Sequence, residues 1–189
     1  MHMEPLLPKL VEDACRTLQA LANQEDVFQK IAAAAVATLK SGGKILSCGN
    51  GGSAADAMHL AEELVGRYRS NRRSLPAISL AADGTALTCI GNDFGFENVF
   101  SRQVEGLGDK GDMLVCFSTS GNSPNILRAL DAAKTQGVKS VALLGKDGGK
   151  AKGKADFEII IANSDNARVQ EAHTLILHAL LEVIERDAV

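Results

Sequence analysis

Residues 113–124 read MLVCFSTSGNSP, and this stretch joins a short apolar run to a turn that is rich in serine and threonine. The apolar residues from Met113 to Phe117 predict a buried strand, and the apolar residues that follow Pro124 recur at helical spacing. Proline suits the first turn of a helix, because its missing N–H is not needed there. The sequence therefore predicts a strand, a hydroxyl-rich turn and a helix in succession.

The turn itself has two interpretations. The start of a helix has free N–H groups and the positive end of the dipole, which attract phosphate. The hydroxyls of Ser118, Thr119, Ser120 and Ser123 could add hydrogen bonds to such a ligand. Alternatively, these residues only cap the helix and form a turn, as serine and threonine often do.

A second stretch repeats this arrangement nearer the N-terminus. Residues 44–48 read KILSC and predict a strand, residues 49–53 read GNGGS, and helical spacing runs from Ala54 to Arg67. The glycines permit positive φ angles and a close approach of the backbone to a ligand. The spacing matches neither GxGxxG nor a P-loop, so the loop either binds another kind of ligand or is only a tight turn.

The rest of the chain also alternates between short apolar runs and helical spacing. Such runs are typical of a parallel sheet that is covered by helices on both faces. We therefore predict an α/β fold with a doubly wound, five-stranded parallel sheet flanked by helices, and an N-terminal helical extension. The other predicted strands are 76–80, 139–144 and 157–161, and the other predicted helices are a pair within 5–40, 84–90, 97–107 and 166–185, with a turn at 91–95.

No linker divides this sequence, so residues 1–189 are predicted to form a single domain, in which residues 1–40 serve packing and oligomerisation. Ligands of doubly wound sheets bind at the carboxyl ends of the strands, where the strand order reverses. The glycine-rich and serine-rich turns each follow a predicted strand directly. We therefore expect both turns to lie at the ligand-binding edge.

The composition disfavours several classes of function. Aromatic residues make up 4% of the chain and the net charge is −3, so neither a stacking platform nor a basic surface for nucleic acid is expected. No apolar run approaches the roughly 20 residues of a membrane span, and no signal-peptide pattern is present. The cysteines form no CxxC pair and are predicted to be reduced, in a cytoplasmic protein: Cys15, Cys48, Cys89 and Cys116.

Two predicted helices carry polar residues that are suited to chemistry. His59 and Glu63 are four residues apart on one helix face, where they could bind a metal or form an ordinary surface pair. On the closing helix, His178 stands in an apolar stretch and needs a partner, either a carbonyl or a functional group, whereas His173 is expected to face elsewhere. Gln170 and His178 are roughly 12 Å apart along a straight helix, so binding of one metal by both requires convergence, which ligands from a neighbouring chain would ease.

At this point the motifs resemble a known family, the phosphoheptose isomerases of the sugar isomerase (SIS) domain superfamily. The resemblance covers nearly the whole chain. It rests on CGNGGSAADAMHLAEELVGRY from Cys48, GNDFGFENVFSRQVE from Gly91, STSGNSPN from Ser118, GKDGGK from Gly145, and ARVQEAH from Ala167 with His178 downstream.

The resemblance implies an activity and a cofactor. Members of the family convert sedoheptulose 7-phosphate to D-glycero-D-manno-heptose 7-phosphate, the first step of ADP- and GDP-heptose biosynthesis for bacterial lipopolysaccharide. They are cytoplasmic, zinc-dependent homotetramers with active sites at subunit interfaces, and we expect one Zn²⁺ per subunit. By position, the implied metal ligands are His59, Glu63, Gln170 and His178.

The resemblance also implies a substrate site. The phosphate would bind to Ser118, Thr119, Ser120 and Ser123. The sugar would contact Asn50, Gly51, Gly52, Ser53, Glu63, Asn92, Asp93 and Gln170, with Arg67 and Asp165 as outer contributors. The segment between Ile161 and Ala167 departs most from the family pattern, and Asp165 lies within it.

An aldose–ketose isomerisation moves a proton between C1 and C2 through an enediol, and it needs a base, an acid and stabilisation of negative charge. Following the family, Glu63 would take the proton and His178 would act as the acid. Both residues are also implied zinc ligands. His178 would therefore act through its second nitrogen, or zinc coordination would change during turnover.

Two alternatives stay open. One relative with this fold binds the bacterial replication initiator and lacks equivalents of the catalytic glutamate and histidine. Other SIS enzymes are isomerases or etherases that act on amino-sugar phosphates. The presence of Glu63 and His178 favours an enzyme over the initiator-binding relative, and the pairs His59/Glu63 and Gln170/His178 favour phosphoheptose isomerisation.

Overall fold

A computed structural model describes residues 5–189, so the first four residues of the predicted domain lie outside the described part. Its centre is a five-stranded sheet with the strand order β2-β1-β3-β4-β5, in which every neighbouring pair is parallel. This confirms the predicted doubly wound fold. The strands are β1 (Ile45–Gly49), β2 (Ala77–Ser79), β3 (Met113–Ser118), β4 (Lys139–Gly145) and β5 (Phe157–Ile161).

Helices cover both faces of the sheet. Helices α2, α3 and α7 pack on one face, and α4, α5 and α6 lie on the other. Short 3-10 turns cover Ala22–Gln24, Phe96–Asn98 and Gly149–Ala151. The helices are α1 (Leu6–Leu21), α2 (Glu25–Lys40), α3 (Gly52–Val65), α4 (Gly84–Phe94), α5 (Ser101–Leu107), α6 (Pro124–Gln136) and α7 (Asn166–Asp187).

Strand β3 explains why its sequence is continuously apolar. All of its residues are buried, and successive side chains point to opposite faces of the sheet. Val115 and Phe117 join the core under α2, α3 and α7, whereas Leu114 and Cys116 join the core under α5 and α6. A strand that is covered on both faces has no polar positions to spare.

Two predicted boundaries on the chain were wrong. The turn expected at residues 91–95 is helical up to Phe94. At the other end of α4, Asp83 caps the helix by accepting hydrogen bonds from the backbone N–H groups of Thr85 and Ala86 at 2.8 and 3.0 Å. The helix ends at Gly95, whose φ of 86° breaks it. The single helix predicted over residues 97–107 is instead a 3-10 turn followed by the shorter α5.

Helix α1 is less buried than its apolar stripe suggests. Thr17 is its one buried residue, while Leu6, Leu7 and Val11 are exposed. Arg168 of α7 donates a hydrogen bond to the Leu10 carbonyl at 2.8 Å and so ties the helix to the body of the chain. Among residues 5–189, no helix combines the length and the apolar character that crossing a membrane requires.

The cysteines are free, as predicted. Cys48 and Cys116 are buried opposite each other on β1 and β3, where they act as small apolar residues. Cys15 and Cys89 are exposed and belong to neither core.

Candidate active site

The two predicted loops meet where the strand order reverses. Strand β1 has β2 on one side and β3 on the other, so the loops that follow β1 and β3 are neighbours at the same edge. The side chains of Asn50 and Asn125 join these loops. The Asn50 Nδ2 donates to the Asn125 Oδ1 at 2.9 Å, and the Asn125 Nδ2 donates to the Asn50 Oδ1 at 2.8 Å.

A small cavity of about 40 Å³ lies between the loops, beside the N-termini of α3 and α6. The larger surface grooves, including one of about 660 Å³ between α2 and α7, contain none of the predicted site residues. Polar groups dominate the small cavity, which suits an anionic group better than an apolar one. It is lined by Asn50, Ser53, Phe117, Ser118, Thr119, Ser120 and Ser123.

Capping does not account for the hydroxyls of the serine-rich loop. The Ser118 Oγ accepts a hydrogen bond from the Gly121 N–H at 3.1 Å, which shapes the loop rather than the helix. Ser123 occupies the N-cap position of α6, but its side chain caps nothing. Within residues 5–189, the hydroxyls of Thr119 and Ser123 have no hydrogen-bond partner, so both can bind a ligand.

The GKDGGK stretch (residues 145–150) supports the serine-rich loop from behind. A Cβ atom added at Gly121 would lie 1.9 Å from the Gly148 carbonyl oxygen, and Gly121 also has a φ of 60°. The Ala151 N–H donates to the Gly121 carbonyl at 2.9 Å. The two backbones are therefore in direct contact, and only glycine fits at position 121 without a shift.

Helices α3 and α7 bring three of the predicted chemical groups together. The His59 Nε2 lies 3.4 Å from the Glu63 Oε1, and the ring of His178 approaches the His59 ring with centroids 5.0 Å apart. Glu62 adds a third ligand atom to the pair on α3, with all three within 4.8 Å of one another. A tetrahedral zinc ion with bonds of about 2 Å holds its ligand atoms roughly 3.3 Å apart, and the 3.4 Å spacing of the His59 and Glu63 atoms fits such an ion.

Gln170 is the first of the two assigned ligands on α7, and it contacts the glycine-rich loop. A Cβ atom added at Gly52 would lie 2.3 Å from the Gln170 Nε2, so the amide rests directly against the glycine-rich loop. His178, two turns later, lies beside His59. Gln170 and His178 therefore contact α3 at positions about two turns apart.

The sequence predicted that His178 is the buried histidine of α7 and that His173 faces elsewhere, and the structure shows the reverse. His173 is the fully buried one, and its ring lies against Phe117 at 5.8 Å between centroids. Burial lowers the pKa of His173 to about 4, opposed only in part by the backbone of Leu144. His178 is half-buried instead, because it lies on the side of α7 that faces α3.

Two further residues belong to this site and were missed. The Tyr68 ring stacks on His178 with centroids 5.8 Å apart, and its only sequence signal was its place at the end of the first family motif. Asp56, one turn before His59, is buried and accepts a hydrogen bond from Thr174 at 2.9 Å. Burial raises the pKa of Asp56, while the Thr174 hydrogen bond and the charge of His59 oppose that rise.

Several of the implied residues have other surroundings in the described part of the chain. Asn92 and Asp93 are exposed on α4, bonded to each other at 2.7 Å, and no hydrogen bond or ion pair there joins them to α3 or α7. Arg67 donates to the Asn71 side chain. Asp165 caps α7 by accepting a hydrogen bond from the Ala167 N–H at 2.8 Å, which is a structural role.

Comparisons with known proteins agree with this geometry. A family model described as SIS domain matches residues 11–145. The phosphoheptose isomerase of Sodalis glossinidius is 50% identical over 190 residues, which cover 98% of this chain and 97% of that protein. The phosphoheptose isomerase of Vibrio cholerae is 48% identical over 190 residues, with 99% of each covered.

Solved structures give the same result. The phosphoheptose isomerase GmhA from Neisseria gonorrhoeae matches with a TM-score of 0.88 at 40% identity, over 95% of this chain and 97% of that one. A phosphoheptose isomerase from Francisella tularensis matches with a TM-score of 0.92 at 35% identity, over 95% and 96%.

The chain is therefore a member of the SIS domain family, the class defined by this doubly wound sheet with its two ligand loops at the switch point. Within that family it belongs to the phosphoheptose isomerases.

Proposed function

We propose that this chain isomerises sedoheptulose 7-phosphate to D-glycero-D-manno-heptose 7-phosphate through an enediol. The observation that carries the proposal is the meeting of His178 from α7 with the His59/Glu63 pair from α3. A protein that merely bound sugar phosphate would need the loops but not this cluster. The cluster therefore favours an enzyme over a non-catalytic relative.

The phosphate group is assigned to the serine-rich loop. The hydroxyls of Thr119 and Ser123 have no other partner in the described residues, and Ser118 and Ser120 line the same cavity. The N-terminus of α6 adds its positive dipole end. The phosphate would thus hold one end of the substrate and leave its other end free for chemistry.

Proton transfer is assigned to Glu63 and His178. Glu63 takes the proton from the carbon next to the carbonyl and returns it to the neighbouring carbon, while His178 supplies and recovers the proton on oxygen. In support, the His178 ring approaches the His59 ring with centroids 5.0 Å apart, and His59 contacts the Glu63 carboxylate. Tyr68, stacked on His178, limits the orientations of its ring.

A zinc ion would be held by His59, Glu63, Gln170 and His178. When bound, it would polarise the substrate carbonyl and stabilise the negative charge of the enediol. The support for this assignment is the His59/Glu63 pair, whose imidazole and carboxylate atoms are 3.4 Å apart, a spacing that suits tetrahedral coordination. Glu62, which is exposed beside Glu63, offers a further carboxylate.

The sugar itself is assigned to Asn50, Gly51, Gly52 and Ser53, together with Asn92 and Asp93 of α4. We also propose a cytoplasmic homotetramer that serves lipopolysaccharide biosynthesis. The uncovered apolar residues of α1, among them Leu6 and Leu7 at 66% and 70% exposure, support association with other copies.

A coupled assay would test the function. Purified protein with zinc should convert sedoheptulose 7-phosphate, and do so faster than glucosamine 6-phosphate or fructose 6-phosphate. Glu63→Gln should lower kcat by about 10²–10⁴-fold, because it removes the base, while the folded protein still binds sugar phosphate. Binding of a replication-initiator domain without turnover, or faster reaction of an amino-sugar phosphate, would show that the proposal is wrong.

A further inference from the structure

Asp56 and Thr174 form a polar contact between α3 and α7 inside the candidate site. The Thr174 Oγ1 donates to the Asp56 Oδ1 at 2.9 Å, and the two residues are 118 positions apart in the sequence. The same hydroxyl also lies 3.1 Å from the Gln170 carbonyl. Donation to the carboxylate is the stronger of the two hydrogen bonds when Asp56 is charged.

The spacing of these residues places the contact among the assigned metal ligands. Thr174 lies four residues after Gln170 and four residues before His178, so the three share one face of α7. Asp56 lies three residues before His59 and seven before Glu63, which puts it on the ligand face of α3. Each partner is thus within one helix turn of an assigned ligand on its own helix.

The second oxygen of Asp56 indicates that this residue serves more than the stability of the fold. Its Oδ2 is buried and has no hydrogen-bond partner in residues 5–189. An unpaired buried carboxylate oxygen is costly and calls for an explanation beyond the joining of two helices.

A second polar contact fixes the other end of α3 to α7. Arg72 donates to the carbonyls of Glu63 and Leu64 at 2.6 and 2.9 Å, and its Nε contacts the Glu185 carboxylate at 3.0 Å. His59 and His178 therefore lie between the two polar contacts and Gln170 lies outside them, whereas the rest of the α3–α7 packing is largely apolar. Apolar contacts allow helices to slide, but a hydrogen bond has one register.

We propose that the Asp56–Thr174 hydrogen bond is a positioning contact that sets the register of α3 against α7, so that the His59/Glu63 pair lies beside His178 and can bind the metal with it. This inference rests on the proposed function, because it takes the metal site as given. Asp56 and Thr174 act through the ligands and do not touch the reacting atoms.

The test measures zinc affinity directly, by competition with a chromogenic chelator. Thr174→Val keeps the shape of the side chain but removes the hydroxyl, and it should weaken zinc binding by about 10-fold or more, as loss of a supporting partner commonly does. Thr174→Ser retains the hydroxyl and should restore the affinity. Asp56→Ala removes the acceptor of the same contact and should weaken zinc binding to a similar degree.

Thr135→Val is the matched control, because Thr135 also donates to a carbonyl four residues earlier on a helix, far from the site. It should leave zinc affinity unchanged. The free energy of unfolding of each metal-free variant separates positioning from stability. Wild-type zinc affinity in Thr174→Val, with or without a loss of stability, would overturn the positioning role while leaving the proposed function intact. A wild-type protein that bound no zinc would overturn the metal assignment and this inference together.

Discussion

The two histidines of α7 show that the burial of a residue depends on which elements pack against it. His178 and His173 both lie among apolar residues in the sequence, and periodicity alone assigned burial to His178. In the structure His173 faces the sheet and contacts Phe117, whereas His178 faces α3 and its polar side chains. The difference between them arises from which other helix covers each side of α7.

His173 leads to a prediction about acid stability. Its pKa is about 4 when folded, below the value of about 6.5 of an unperturbed histidine. Below pH 6.5 His173 binds a proton in the unfolded chain but stays neutral in the folded chain. The contribution of His173 to the free energy of unfolding is therefore complete above pH 6.5 and is lost as the pH falls towards 4. A shift of this size corresponds to about 3 kcal/mol.

Denaturant unfolding at several pH values should show this loss, and His173→Leu should reduce the slope between pH 6.5 and 4. The comparison needs the wild type in parallel, since other groups also titrate in that range. An unchanged slope in the variant would mean that His173 is solvated or paired in solution.

At the scale of elements, the serine-rich loop depends on a second loop that carries no assigned substrate contact. The GKDGGK stretch contacts it backbone to backbone at Gly121. The sequence resemblance included this stretch without a role for it. Its packing suggests that it holds the hydroxyls of the loop in place for the phosphate.

Gly121→Ala tests this dependence. The added Cβ would overlap the Gly148 carbonyl, so the loop must move, and KM for the sugar phosphate should rise by about tenfold or more, equivalent to about 1.4 kcal/mol of binding. Gly153→Ala is the control, because Gly153 also has a positive φ, of 76°, but nothing lies within 4 Å of its Cβ position. Steady-state kinetics on both folded variants would measure the two KM values. An equal rise of KM in both variants would mean that backbone strain alone causes the change.

At the scale of the whole molecule, the site and the two cores are separate. The assigned ligands are only half-buried, whereas the two cores are built from the sheet and the apolar faces of its helices. The fold should therefore survive loss of the metal. The apolar face of α1, by contrast, stays exposed in the single chain.

Chelation should accordingly abolish isomerase activity and leave the circular dichroism spectrum unchanged. Zinc should restore the activity, whereas magnesium should not, because imidazole ligands suit zinc and not magnesium. Zinc at 100 times its Kd should also raise the free energy of unfolding by about 2.7 kcal/mol, since it binds the folded state. Full activity after exhaustive chelation would argue against a metal in the reaction.

The sequence by itself determined the elements whose causes are local. Apolar runs such as Met113–Ser118 and loops such as Gly49–Ser53 depend on residues within a few positions, so the parallel sheet and its ligand edge could be predicted. The family motifs then indicated Glu63 and His178. What was mispredicted, such as the helical Asn92 and Asp93, depended on a cap and a helix end that propensity does not define sharply.

Only the tertiary structure decided how the helices face each other. The approach of His178 to His59, the stacking of Tyr68 and the contact between Asp56 and Thr174 join residues more than a hundred positions apart. Such contacts depend on how two amphipathic faces pack on one sheet, and periodicity does not contain that information. The loops proposed to bind the phosphate could thus be predicted along the chain, whereas the proposed catalytic cluster forms only where α3 meets α7.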